Sequence, residues 1–274
     1  MINNTIKKYA EVIIKFRWLL AILTVVLVLL SAVGGKNLFF NNDYRIFFSP
    51  EDKRLQAFEN LQNTYTKNDN VLMDLAPKDG VVFKADTLDA IADLTERAWK
   101  TPYSMRVDSL SNYQHSESIE DDMSVGDLYE DAKSLSATEI QRIKAITLAE
   151  PQLIHRLISE KAHVTALNIT MEFPLEIEND KGEMVKADPT QQGLEVVKSV
   201  RDLRDYTKET YPELDVYLSG IVMMNNAFGE ATIYDMSHLL PLAILLILAM
   251  VYLLLRSITG TVITLVVILF SVLT

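Results

Sequence analysis

Few residue patterns in this chain are spaced for chemistry. His115-Ser116-Glu117 has the outline of a deaminase triplet, in which a histidine ligates zinc and a glutamate moves the proton, but that site takes cysteine ligands further along and the chain has no cysteine. His155, His163 and His238 lack the spacing of metal ligands. Of the ten methionines only Met223-Met224 are adjacent. Thioethers bind Cu(I), yet a dispersed set suits gap-filling in apolar packing better. Neither a glycine-rich phosphate loop nor a nucleophile elbow is present, which argues against ATP hydrolysis and serine hydrolase chemistry. We therefore expect no enzyme: no catalytic residue, no cofactor and no metal site.

The elements that frame these residues are sharply segregated. Hydrophobic residues make up 49% of the chain and charged ones 23%, a combination unusual for a wholly soluble protein. Residues 18–33, 239–255 and 257–274 contain no charge. With their flanks they approach the length that spans a bilayer. This predicts a cytoplasmic N-terminus at 1–15, membrane helices at 16–35 and 237–255, and a third at 258–274 within which the chain ends. A large domain at 36–236 lies between the first two. A cleaved signal peptide would share the basic flank, but the first apolar run is long for one and no A-x-A-like site follows.

Charge sets the orientation. Lys7, Lys8, Lys15 and Arg17 precede the first apolar run and Arg256 separates the second from the third, so these ends belong in the cytoplasm and the large domain on the far side. The whole chain carries a formal −11. Without those five basic residues and Glu11 the exported part carries about −15. Such a surface repels anionic headgroups and nucleic acid. Lack of cysteine suits a bacterial periplasm and leaves stability to the packed core. The expected localisation is the bacterial inner (plasma) membrane, multi-pass, with the domain periplasmic.

Within that domain the pattern is β-α-β, an insertion at 111–161, then β-α-β. Ser49, Pro50 and Asp52 look like a cap, N1 and N3 set for a helix carrying Leu55, Phe58, Leu61 and Tyr65 on one face. Residues 70–76 read as a strand, Asp86 as the cap of a helix bearing Leu88, Ile91, Leu94, Ala98 and Trp99, and residues 105–110 as a second strand. Residues 111–131 read as polar connection, and 137–149 and 151–160 as short helices. Residues 162–173 alternate as a strand, with a small hairpin about 179–182 after it. Asp188, Pro189 and Gln191 cap a helix whose stripe is Leu194, Val197, Val200, Leu203 and Tyr206. A last strand, 215–219, leads into a helix over 221–237 that feeds the second membrane helix. The expected fold class is α+β with transmembrane helices: a ferredoxin-like, split βαβ domain of porter type.

Three features could join domain to membrane. Asp43, Tyr44 and Arg45 would couple the domain to the first helix through a charge-assisted pair, or form a structural elbow at the membrane surface. Arg106 and Asp108 share a strand face at i and i+2, where a cross-strand ion pair is expected rather than a substrate contact. Pro241 removes a backbone donor near the start of the second membrane helix. It is either a hinge between domain and membrane or an N1 proline of a helix that starts afresh.

Asp43-Tyr44-Arg45 with Phe47-Phe48, Arg106-Val107-Asp108-Ser109-Leu110 with Asn112, Glu150-Pro151, and Ser219-Gly220 occur in an order that resembles transporters of the resistance-nodulation-division (RND) superfamily, in their MMPL-like branch of exporters. The resemblance covers essentially the whole chain. It implies the amino-terminal part of a proton-driven efflux transporter of hydrophobic or lipid-like molecules. The acidic residues that carry protons in that family lie in the fourth helix of each half, beyond this sequence, and the three apolar runs here contain no ionisable residue. Expected partners are a hydrophobic or lipid-like small molecule, the lipid bilayer and the remaining transporter helices, with room for a homo-oligomer and none for nucleic acid. The alternatives are a membrane-anchored periplasmic sensor or ligand-binding receptor and an accessory subunit of protein translocation. A sensor should continue into a signalling module after Arg256, whereas this chain returns to apolar sequence at once.

Overall fold

Alternation, helix caps and apolar runs sort this chain into two units in the computed structural model, which describes residues 11, 13–34, 44–65, 69–119, 122–178 and 182–273. One unit is Asn41–Glu230 and the other is Met1–Phe40 with Ala231–Thr274. Along the chain come α1 (Arg17–Ala32), a 3-10 turn (Tyr44–Phe47), α2 (Lys53–Thr64), β1 (Asn70–Pro77), α3 (Ala85–Ala98) and β2 (Ser104–Asp108). Then follow β3 (Gln114–Ile119), β4 (Asp122–Asp127), α4 (Ala137–Ala149), β5 (Thr165–Met171), β6 (Glu176–Glu178) and β7 (Met184–Lys186). The last are α5 (Pro189–Thr210), β8 (Leu214–Ser219), α6 (Ile221–Tyr234), a π turn (Asp235–Leu239), α7 (Leu240–Leu255) and α8 (Ile258–Leu273).

The first unit is a mixed α+β structure around one four-stranded sheet in the order β2-β5-β1-β8. Every pairing is antiparallel, with Met73 opposite both Leu167 and Leu218. On β1 the period of two sends Val71, Met73 and Leu75 to one face, where all are fully buried. Leu88, Ile91 and Leu94 of α3 and Val196, Val197 and Val200 of α5 join them in the core. Asp188 caps α5 by accepting from Thr190 N at 2.9 Å, with Pro189 at N1 as expected.

Several expectations need correction. The cap of α2 is Asp52, which accepts from Arg54 N at 2.7 Å, while Ser49 to Glu51 form a turn before it. Phe58, Leu61 and Tyr65 of that helix are exposed rather than packed. α3 starts at Ala85 after Lys84, so Asp86 lies in its first turn, where its charge suits the helix dipole. Residues 151–160 form turns with isolated bridges, not a helix, because His155 within the segment takes a left-handed backbone angle. The polar stretch read as a connection contains the hairpin β3–β4, which has no apolar alternation to announce it. β2 and β5 are shorter than read, and β2 carries an irregularity between Ser104 and Arg106. The β6–β7 pairing is present, but Asn179 to Lys181 at its tip lie outside the described residues.

In the other unit α8 packs against α7 and α1. The helix Ile221–Leu255 is long and apolar enough to cross a membrane, and Arg17–Ala32 and Ile258–Ser271 are shorter apolar helices. Leu246, Met250 and Leu254 of α7 are among many exposed large apolar residues here. In water that surface would be a severe liability, whereas in lipid it is the required one.

Gly220 joins β8 to α6 at φ +99°, where an added Cβ would lie 2.5 Å from the Asn70 carbonyl oxygen and 3.0 Å from Leu72 N. Gly220→Ala should therefore cost about 3 kcal/mol, because left-handed strain adds to a backbone clash. Gly80→Ala, at φ +71° with open space around it, should cost about 1 kcal/mol. Denaturant unfolding followed through Trp99 in a Trp18→Phe background reads both. Equal small losses at the two positions would contradict the close approach.

Candidate functional site

The residues singled out in the sequence do not gather into one site. Asp43 lies outside the described residues, and Tyr44 opens the 3-10 turn. Arg45 follows in that turn and donates from Nη2 to Gln62 Oε1 at 3.0 Å. Phe47 meets Phe228 edge to face at 5.8 Å between ring centroids, which ties the turn to α6. Pro241 belongs to the other unit, as the second residue of α7 directly after the π turn. Arg106 and Asp108 pair along β2 at 3.0 Å rather than across strands.

The stretch after β2 is a buried polar knot. Thr95 Oγ1 donates to the Ile91 carbonyl at 2.6 Å and lies 2.9 Å from Ser109 Oγ, which is 2.8 Å from Ser111 Oγ. Asn112 accepts from Ser109 N at 2.9 Å and donates to the Val107 carbonyl at 2.7 Å. Buried hydroxyls and amides so satisfied fix α3 against the exit of β2. A second knot ties α3 to the C-terminal end of α5. Tyr206 and Tyr211 both donate to Asp93 Oδ2 at 3.1 Å, and burial together with that carboxylate pushes the Tyr211 phenol up. Both knots hold structure and leave little to bind with.

Among the described residues of this unit, a groove and a smaller cavity stand open. The larger is a polar groove of about 1030 Å³ on the sheet face away from α3 and α5. Its central amides are engaged with one another: Asn70 donates to Asn168 Oδ1 at 2.7 Å, and Asn168 in turn approaches Asp108. The smaller, about 290 Å³, has the character of a ligand pocket. Phe173, Leu175, Leu194 and Val222 supply apolar wall, and Arg45 and Lys186 bring positive charge. Leu194 was expected in the core stripe of α5; it is instead 47% exposed and lines this cavity.

Two further residues at the cavity escaped the sequence reading. Asn226 is nine-tenths buried, lines the cavity, and its amide nitrogen completes no hydrogen bond among the described residues. Gly193 sits in the second turn of α5 with nothing within 4 Å of an added Cβ. Mid-helix glycine costs about 1 kcal/mol against alanine, and no close packing here requires it. Its signal was legible: one glycine inside an otherwise well-capped helix.

Arg201 of α5 and Glu230 of α6 clamp this region through bonds of 2.7 and 3.0 Å. The guanidinium holds the Glu230 carboxyl below the usual glutamate range, and the Asn226 amide adds to that effect from one turn away without closing a hydrogen bond of its own.

Set against known proteins, residues 180–274 match the family model described as MMPL family. No curated protein matches the chain. The matched part covers α5, β8 and the helix Ile221–Leu255 with α8. It supports the resemblance to an MMPL- or RND-like membrane transporter.

Because folding lowers the Glu230 pKa, the Arg201 pair stabilises above the unfolded value of about 4.3 and is lost as pH falls through the folded one. Both partners are more than a third exposed, so its worth is about 1 kcal/mol or less. Glu230→Gln should thus be slightly less stable than the wild type at pH 7, with the gap closing below about pH 4. Melting temperatures of both proteins across pH 7 to 3 check this; a constant gap would contradict the pairing.

Proposed function

We propose that this chain forms the amino-terminal part of a proton-driven exporter of the RND superfamily, in its MMPL branch, that moves hydrophobic or lipid-like molecules out through a bacterial inner membrane. The observation that carries the reading is the MMPL match over residues 180–274, which runs from α5 and β8 straight into the long apolar helix Ile221–Leu255 and a shorter apolar helix after it. The antiparallel order β2-β5-β1-β8 supports reading the first unit as a ferredoxin-like, split βαβ domain of porter type. Basic residues before the first apolar run and Arg256 between the last two support a cytoplasmic N-terminus, a periplasmic domain at 36–236 and three membrane helices at 16–35, 237–255 and 258–274. On this reading the proton relay belongs to the remaining transporter helices. Asp43, Tyr44, Arg45 and Pro241 would then transmit movement between domain and membrane.

Two measurements test the reading. The absence of cysteine lets Lys198→Cys and Lys8→Cys be probed singly with a membrane-impermeant maleimide on intact spheroplasts. Only the first should react, and labelling of Lys8→Cys alone would invert the topology. Cells producing the protein from its natural gene should expel a lipid-like dye such as Nile red faster than control cells, and a protonophore should abolish the difference. No protonophore-sensitive efflux would sink the exporter reading.

A further inference from the structure

We propose that the cavity between the start of α5, the β6–β7 hairpin and the first turns of α6 binds a single apolar chain that ends in an acidic head group, a carboxylate or phosphate. That such a molecule is cargo rests on the exporter reading above; that it binds here rests on the cavity itself.

Four observations converge. First, the wall is apolar and open: Val222 is buried at its base, but Leu175 is 75% exposed. Apolar surface held open in a concavity gains from any apolar occupant. At about 290 Å³ the space lies at the lower end of ligand pockets, which suits one chain rather than two. Second, the charge at the cavity is of the wrong sign for its surroundings. In a unit that is strongly acidic, Arg45, which also bonds Gln62, and Lys186 both line it, with Asp69 the one carboxylate among the described lining residues. Among those described residues positive charge outweighs negative, which favours an anionic head over a neutral or cationic one.

Third, Asn226 presents a nine-tenths buried amide whose nitrogen closes no hydrogen bond of good geometry among the described residues, with only the Glu230 carboxylate, already held by Arg201, in its reach. A head-group oxygen would be an acceptor for that donor. Fourth, Gly193 keeps the wall clear. Space for a larger side chain exists there, and a side chain would improve the helix. Glycine at this position therefore lowers helix stability while preserving volume.

The test uses the full chain in nanodiscs of neutral phosphatidylcholine, with dodecanoic acid carrying a terminal diazirine as probe. Irradiation followed by peptide mapping should label residues 173–175, 193–194 or 222. Unlabelled dodecanoate should compete at least tenfold better than dodecanol, dodecyltrimethylammonium or inorganic phosphate. Lys186→Glu should weaken labelling about tenfold. Gly193→Leu should abolish it while the melting temperature stays equal or rises, which separates a filled cavity from a misfolded protein. Equal competition by dodecanol or by inorganic phosphate overturns the proposed ligand chemistry. Labelling elsewhere, or labelling that survives Gly193→Leu, overturns the site. Efflux by cells without labelling of the cavity would overturn the site and leave the exporter reading standing, whereas labelling without protonophore-sensitive efflux would do the reverse.

Discussion

The backbone contact at Gly220 governs how β8 hands over to α6. β8 ends with Ser219 opposite Leu72, and the chain must then turn into α6 while passing against the first residues of β1. Only a residue without Cβ passes there, since one would meet the Asn70 carbonyl at 2.5 Å. The Asn70 side chain reinforces the junction from the other side: its amide donates to Asn168 of β5 and its carbonyl oxygen accepts from Ile221 N at 3.4 Å. One strand start therefore fixes a neighbouring strand and the direction of a helix. Val222 and Asn226 reach the cavity because α6 leaves the sheet at this angle, and Glu230 meets Arg201 for the same reason.

Buried polar groups explain why the stretches that carry the family resemblance need not be functional in themselves. Ser109 and Asn112 look like a motif in the sequence, and in the structure they satisfy one another, Thr95 and the Val107 carbonyl. Glu150 with Pro151 closes α4: its carbonyl accepts from Leu153 N and Ile154 N, and its carboxylate accepts from Gln152 N at 3.1 Å. Ser109 tolerates little substitution because an unpaired partner would be left buried beside Thr95 and Ser111. A resemblance carried by these residues reports a shared scaffold, and function has to be argued from the cavity instead.

How much was legible follows from which forces leave a mark in sequence. Burial on one face imposes a period of two or 3.6, so β1, β5, α3 and α5 were readable from Val71, Met73 and Leu75 or from Val197, Val200 and Leu203. The hairpin β3–β4 is held by its ladder and by a surface pair between Arg142 and Glu117. Backbone pairing leaves no residue pattern, and that element was missed. Turns at His155 and Ala162 were missed because left-handed angles at non-glycine residues are not announced by residue type. The cavity was invisible for a third reason: Leu194 keeps helical spacing with the core residues of α5, and only the surroundings decide that it faces open space.

Pro241 shows how a local defect is absorbed without ending a helix. A proline offers no N–H, and its ring presses on the carbonyl four residues earlier, here that of Ser237. The turn before it widens into π register, so that Leu240 N reaches back five residues to the Asp235 carbonyl. Carbonyls that lose their α-helical donors in this shift find others. Ser237 Oγ donates to the Ile233 carbonyl at 2.8 Å and lies 3.1 Å from that of Tyr234, with the His238 ring nitrogen also 3.1 Å from the latter. The ring of His238 stacks on Tyr234 at 4.4 Å. The helix Ile221–Leu255 is thus continuous through its proline at the cost of one loosened turn. A turn whose bonds are shared between two registers is the place where a long helix bends with the least loss of hydrogen bonding.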